Sequence, residues 1–214
     1  MTQKYSGFLI TLEGGEGGGK TTHSVRLRQR LLDAGKDVVV LREPGGTTIS
    51  EQIRQVVLSP GNTSMAFTTE VLLFQAARAQ IYREIVLPSL KAGKVVLMDR
   101  SRDSSVVYQG MVRGFGKELI ENLNNLSTDN TKPNLTVLLD LPVKTGLQRR
   151  AESGKIDRLD MEATEFHQQV RDAYLELAQQ DTSGRWVIID AEQDLEQVEE
   201  ELWQIIQERL QLGK

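Results

Sequence analysis

Gly14-Gly15-Glu16-Gly17-Gly18-Gly19-Lys20-Thr21 is the segment whose residue types and spacing speak most directly of chemistry. It fits G-x-x-x-x-G-K-[ST], in which glycines let the backbone close around an anion without Cβ clashes while several N–H groups converge on a triphosphate. A helix starting after the loop adds the positive end of its dipole. In that arrangement Lys20 reaches the β- and γ-phosphates, the Thr21 hydroxyl ligates Mg²⁺, and Thr22 completes the nucleotide-binding set. A glycine-rich turn that binds nothing is the plain alternative, but strand, loop and helix all fall where the motif requires them. The motif implies a nucleoside triphosphate and is silent about the acceptor.

Four other segments bear on the acceptor. Arg42-Glu43-Pro44-Gly45-Gly46-Thr47 follows an apolar run; Pro44 cannot extend a strand, and the paired glycines force a turn that could aim Glu43 inward, although an ordinary strand-to-helix turn reads the same way. Phe74 and Arg78 are four apart in a helical stretch over 70–87 and share a face. A ring beside a fork of donors suits a pyrimidine, yet taken alone the pair reads more readily as a core ring and a solvated guanidinium. Asp99-Arg100 ends a third apolar run, where a carboxylate could hold Mg²⁺ or its waters and a guanidinium could clamp a phosphate. Arg149, Arg150 and Arg158 flank Gly154 after a fourth run, in the manner of a mobile cationic flap that shields a γ-phosphate from water, though as bare charges they would suit a solvated helix face.

The elements that must position these residues are legible in the spacing. Apolar, β-branched runs over Gly7 to Glu13, Asp37 to Leu41, Val95 to Asp99, Leu135 to Asp140 and Trp186 to Asp190 do not alternate, which predicts parallel strands covered on both faces. Helical stripes lie between them, with Gly35 as a C-cap and a last helix from about Leu195 to Leu210. The alternation implies a three-layer α/β/α fold in one domain spanning 1–214, with Asn122 to Asn134 as a surface loop. A net charge of -4 argues against a general nucleic-acid binder, so any anion site must be local. There is no apolar stretch approaching the ~20 residues of a membrane helix, no leader at Met1 to Ser6 and no cysteine, so a cytoplasmic location is expected. The two histidines, His23 and His167, cannot build a His-rich metal site and read as ordinary helix residues.

Together these segments resemble thymidylate kinase, a P-loop nucleoside monophosphate kinase. The resemblance runs from the strand before Gly14 to the Asp190-Ala191 turn and is tightest over Leu97 to Gln109. It implies a five-stranded parallel sheet, a small helical lid at about 142–160, a homodimer, ATP and Mg²⁺ as co-substrate and cofactor, and dTMP as acceptor. It makes Phe74 the thymine platform, Arg78 a donor to O4, Gln109 the reader of the N3 side and Tyr108 the aromatic that crowds the sugar 2′ position. Arg54 and Arg100 would hold the dTMP phosphate, Ser104 and Ser105 would line its pocket, and Glu16 and Glu43 would sit by sugar and phosphate. The variable loop positions carry no base, as in the bacterial subtype, so the lid would supply the cations; Ser153 stands where some relatives carry a further arginine. That leaves Arg149, Arg150 and Arg158 as candidates for the transferring phosphoryl, with Lys155 beside them. A deoxynucleoside kinase would need a base and fewer acceptor-side cations than Arg54, Arg78 and Arg100 provide. A nucleotide switch would want an Asn-Lys-x-Asp guanine reader, which the sequence lacks.

Overall fold

Each of the five apolar runs becomes a strand: β1 (Phe8–Glu13), β2 (Val38–Arg42), β3 (Val95–Asp99), β4 (Leu135–Asp140) and β5 (Trp186–Asp190). The computed structural model describes residues 5–154 and 156–212, so Lys155 and the first four residues of the expected polar N-terminus lie outside the described residues. The strands form one parallel sheet in the order β2-β3-β1-β4-β5. Its register sets Arg42 beside Asp99 and Asp99 beside Leu12, so the carboxyl ends of β1, β2 and β3 reach one edge together.

The helices are α1 (Lys20–Asp33), α2 (Thr48–Leu58), α3 (Phe67–Ile81), α4 (Leu87–Lys91), α5 (Arg102–Ser105), α6 (Lys117–Thr128), α7 (Val143–Glu152), α8 (Thr164–Gln179) and α9 (Leu195–Leu210), with π-helical segments at Tyr82–Val86 and Val106–Val112. Alternate strand residues point to opposite faces. Ile10, Leu12, Val95, Leu97, Val137 and Leu139 pack on Leu27 and Leu31 of α1 and on Val198, Leu202 and Ile206 of α9. Leu9, Val96 and Met98 pack on Ile81, Tyr82, Leu87 and Leu90, and Leu138 packs on Val170 and Tyr174 of α8. Three layers result, as expected. Burial on both faces holds for β1, β3 and β4; the edge strands β2 and β5 are only partly covered, and Ile188 is exposed.

Two expectations need correction. The polar segment 122–134 is not a loop throughout: α6 continues to Thr128, and the left-handed turn at Asp129 and Asn130 ends it. Asn124 and Ser127 are on the inner face of the helix, where Asn124 donates to the Arg102 carbonyl and accepts from Gln75 and Arg78, and Ser127 donates to Gln75. Partnered polar groups can be buried, so polarity did not mean exposure. The helix expected over 70–87 is also three segments, with the π-helical turn between α3 and α4 and Pro88 in the first turn of α4, where no N–H is required.

Candidate active site

The loop between β1 and α1 is shaped by what lies against it. Gly17 has φ 70, and a Cβ there would sit 2.2 Å from the Gly146 carbonyl oxygen; a Cβ on Gly146 would sit 2.4 Å from that of Glu16. Backbone therefore packs on backbone, and α7 runs hard against the phosphate loop. Lys20 Nζ donates to the Gly14 and Gly15 carbonyls at 3.2 and 2.5 Å. Burial, then the Arg100 charge, lowers its pKa to about 8. On the first turn of α1 the Thr21 hydroxyl donates to Asp99 Oδ2 at 2.5 Å, bringing two hard oxygen donors together at the end of β3.

Arg100, the residue after β3, adopts φ 64. Its Nη2 donates to Glu16 Oε1 at 2.6 Å, and its Nη1 donates to the Gly14 carbonyl at 2.8 Å and the Tyr174 hydroxyl at 3.3 Å. Burial alone would raise the Glu16 pKa, but Arg100, with Lys20 and Arg150, outweighs it and brings it down to about 2. Behind the turn, Glu13 accepts from Ser101 N at 2.9 Å, Ser104 Oγ at 2.6 Å and Tyr174 OH at 2.9 Å. Burial, then the neighbouring Asp103 charge, raises its pKa to about 7.

Farther along the same edge Arg78 is buried and almost fully engaged. Its Nε donates to Glu43 Oε2 at 2.7 Å, its Nη1 to Ser105 Oγ and Asn124 Oδ1, and its Nη2 to the Ser101 carbonyl, which leaves one Nη2 hydrogen without a partner among the described residues. Burial pushes the Glu43 carboxyl up, and Arg78 opposes it. Gln109 Nε2 donates to Glu70 Oε1 at 2.9 Å. Arg54 Nη1 donates to the Pro44 carbonyl at 2.7 Å, and Tyr108 OH to Glu16 at 3.1 Å.

A single cleft of 330 Å³ gathers these groups. Of the residues picked out in the sequence, Glu16, Gly17, Gly18, Gly19, Lys20, Thr21, Thr22, Glu43, Arg54, Phe74, Arg78, Asp99, Arg100, Ser104, Ser105, Tyr108, Gln109, Arg149 and Arg150 line it. Gly14 and Gly15 stand behind, offering their carbonyls to Lys20 and Arg100. Arg158 is not brought to the cleft. Its guanidinium is buried, with Nη2 on Glu70 Oε2 at 2.6 Å and Nε on the Val57 carbonyl at 3.0 Å, and so it pins its segment to α2 and α3. Arg149 donates to the Ala191 carbonyl at 3.0 Å, at the turn after β5, whereas Arg150 pairs with Asp160 and Asp157 and acts on the Glu16 carboxyl.

The sequence model of the thymidylate kinase family matches residues 12–202. The chain is 46% identical over 213 residues to the thymidylate kinase of Geotalea uraniireducens, covering 97% of this chain and 100% of the relative. The chain belongs to the thymidylate kinase family. It is also 45% identical over 197 residues to the thymidylate kinase of Pseudomonas putida, covering 92% and 93% of the two chains. The crystal structure of thymidylate kinase from Ehrlichia chaffeensis superposes with a TM-score of 0.75 at 30% identity, covering 94% of this chain and 98% of that one. The family assignment and the parallel α/β/α architecture thus agree with what the motifs implied.

Four residues that support the family's cleft escaped the sequence reading: Glu13, Glu70, Asn124 and Tyr174. Glu13 ends the first apolar run as Asp99 ends the third, and that signal could have found it. Glu70 gave none, since an acid in the first turn of a helix is ordinary. Ser153 lines the cleft at the end of α7 without contributing a charge.

Proposed function

We propose that this cleft transfers the γ-phosphoryl group of ATP to dTMP, giving dTDP and ADP by direct in-line displacement. The observation that carries the proposal is that one cleft is lined both by the glycine-rich loop with Lys20, against which Arg100 lies, and by Arg54, Phe74, Arg78 and Gln109. Family membership supports the same reaction.

An oxygen of the dTMP phosphate attacks Pγ, the bond from Pγ to the bridging oxygen breaks, and ADP leaves with that electron pair. The attacking oxygen is ionised at neutral pH, so no strong general base is required, and catalysis reduces to positioning and electrostatics. Lys20 turns from the loop carbonyls to the β- and γ-phosphates. Arg100, held between Gly14, Glu16 and Tyr174, exchanges its Glu16 contact for the acceptor phosphate. Arg150 is the α7 cation placed to meet the transferring group, because it lines the cleft and acts on Glu16; Arg149, on the Ala191 carbonyl, flanks the adenine side. α7 closes over the phosphates, and Arg158, bound to α2 and α3, is a fixed point beyond it.

Mg²⁺ fits the site: Thr21 and Asp99 place a hydroxyl and a carboxylate together at the cleft wall, and both are donors that the ion prefers. When bound it neutralises charge on the β- and γ-phosphates. Among the described residues no group of three or more His, Cys, Asp or Glu could hold a metal ion, and the nucleotide phosphates would supply further oxygen ligands. A homodimer completes the proposal. α3 and α6, joined by Gln75 and Asn124, leave Leu72, Leu119 and Leu126 exposed, and exposed apolar groups on paired helices suit an interface. Among the described residues no helix is long and apolar enough to cross a membrane.

The deciding assay is ADP release with ATP-Mg²⁺ and either dTMP or thymidine. Turnover on dTMP with little on thymidine is expected. A preference for thymidine, or slow hydrolysis indifferent to both, ends the proposal.

A further inference from the structure

We infer that Glu70, which lies behind the cleft, sets the base preference of the acceptor site by fixing which end of the Gln109 amide faces it. The inference rests on the proposed occupancy of that site by a pyrimidine nucleotide. The two ends of a glutamine amide have nearly the same shape, so packing does not choose between them; hydrogen-bond chemistry does. A carboxylate only accepts, and Glu70 Oε1 lies 2.9 Å from Gln109 Nε2. The carboxylate cannot turn away, because it is buried, its Oε2 accepts from Arg158 at 2.6 Å and Arg113 stands 3.6 Å from it. Gln109 is therefore obliged to spend its amino group on Glu70. Its Oε1 accepts from no donor among the described residues, and the residue lines the cleft.

Gln109, with its free acceptor, and Arg78, one of whose Nη2 hydrogens has no partner among the described residues, both line the cleft. Thymine and uracil match that order with an N3–H donor next to the O4 acceptor. Cytosine reverses both, setting a lone pair against an oxygen and an amino group against an N–H, and a buried site built for one pattern rejects the other strongly. Glu70, Phe74 and Arg78 recur every four residues along α3, so one helix face carries the orienting carboxylate, the ring and the second base contact. Glu70 is a positioning residue, acting through Gln109.

The test is Glu70→Gln, which can offer Gln109 either a donor or an acceptor and so frees the amide to turn. The readouts are kcat/KM for dTMP and for dCMP, with the KM for ATP as reference. The expected result is a fall of about tenfold or more in the dTMP-to-dCMP ratio, the size of one exchanged hydrogen bond, with the ATP KM unchanged. Arg158→Lys, which keeps a cationic donor for Glu70 Oε2 and so the carboxylate in place, should retain the ratio. In a Gln109→Leu background Glu70→Gln should add nothing further. Should Glu70→Gln fold poorly, Glu70→Gln with Arg158→Met removes both charges of the buried pair together and carries the same measurement. A ratio unchanged by these Glu70 variants, an equal fall in Arg158→Lys, or additive effects with Gln109→Leu overturns the inference while leaving the proposed reaction standing. A native enzyme that does not prefer dTMP to dCMP overturns both.

Discussion

Arg100 holds a left-handed backbone torsion that a side chain adopts only at a cost of about 1–3 kcal/mol. The surrounding bonds repay it: Arg100 N donates to the Leu12 carbonyl, Ser101 N donates to Glu13, and the guanidinium bridges Gly14, Glu16 and Tyr174. The torsion aims the guanidinium back across β1 at the phosphate loop. Arg100→Ala and Lys20→Ala should each lower kcat/KM for dTDP formation by on the order of 10³ or more, with circular dichroism unchanged; near-native turnover in either would remove the role. Glu13 gives a separate, pH-dependent expectation. Its folded pKa of about 7 lies above the ordinary 4.5, so the stability it contributes is fully present below about pH 4.5 and is lost as pH rises through 7. Glu13→Gln should flatten that slope in denaturant titrations from pH 5 to 8, and an unchanged slope would place the titration elsewhere.

The arginines after β4 show how an element decides between residues that look alike in sequence. Arg149, Arg150 and Arg158 are three guanidiniums within ten positions, yet one meets the β5 turn, one is held at the cleft by Asp160 and Asp157 and one is buried on Glu70. Arg150→Ala should cut kcat by ~10³–10⁵, as loss of a transition-state arginine does. Arg158→Met should instead leave kcat within a few-fold and lower the unfolding free energy by about 3–5 kcal/mol, as removal of one partner from a buried pair does. Stopped-flow turnover and thermal melts on both variants separate the roles, and exchanged outcomes would reverse the assignment. The strands and the glycine loop were legible beforehand because their signals are local: apolar runs for the sheet, a fixed spacing for the cradle. The fate of Arg158 was not, since it depends on Glu70, 88 residues away. Neither was the inner face of α6, where Asn124 and Ser127 imitate a loop in composition while their partners on α3 and α5 make them core. The base-side residues stood between these cases. Phe74 and Arg78 were recognisable by spacing, but the engagement of Arg78 by Glu43, Ser105, Asn124 and Ser101 depends on four separate segments.

On the scale of the molecule, the cleft lies at the carboxyl edge of the sheet, where open α/β sheets place their ligands, and α3 and α6 flank it while exposing leucines. If those helices form the dimer contact, each acceptor pocket is braced by a second copy. Light scattering should give twice 24.0 kDa for the native chain and 24.0 kDa for Leu126→Arg; a native monomer would dismiss the dimer. The contact of Gly17 with Gly146 reaches further than its size suggests. Paired side chains can drift together, one growing as the other shrinks, but two glycines touching through their main chains have nothing to exchange. Across descendants of this fold both positions should stay frozen and carry no trace of correlated substitution. Contact inference from co-evolution would then be blind to the joint from which Arg149 and Arg150 hang.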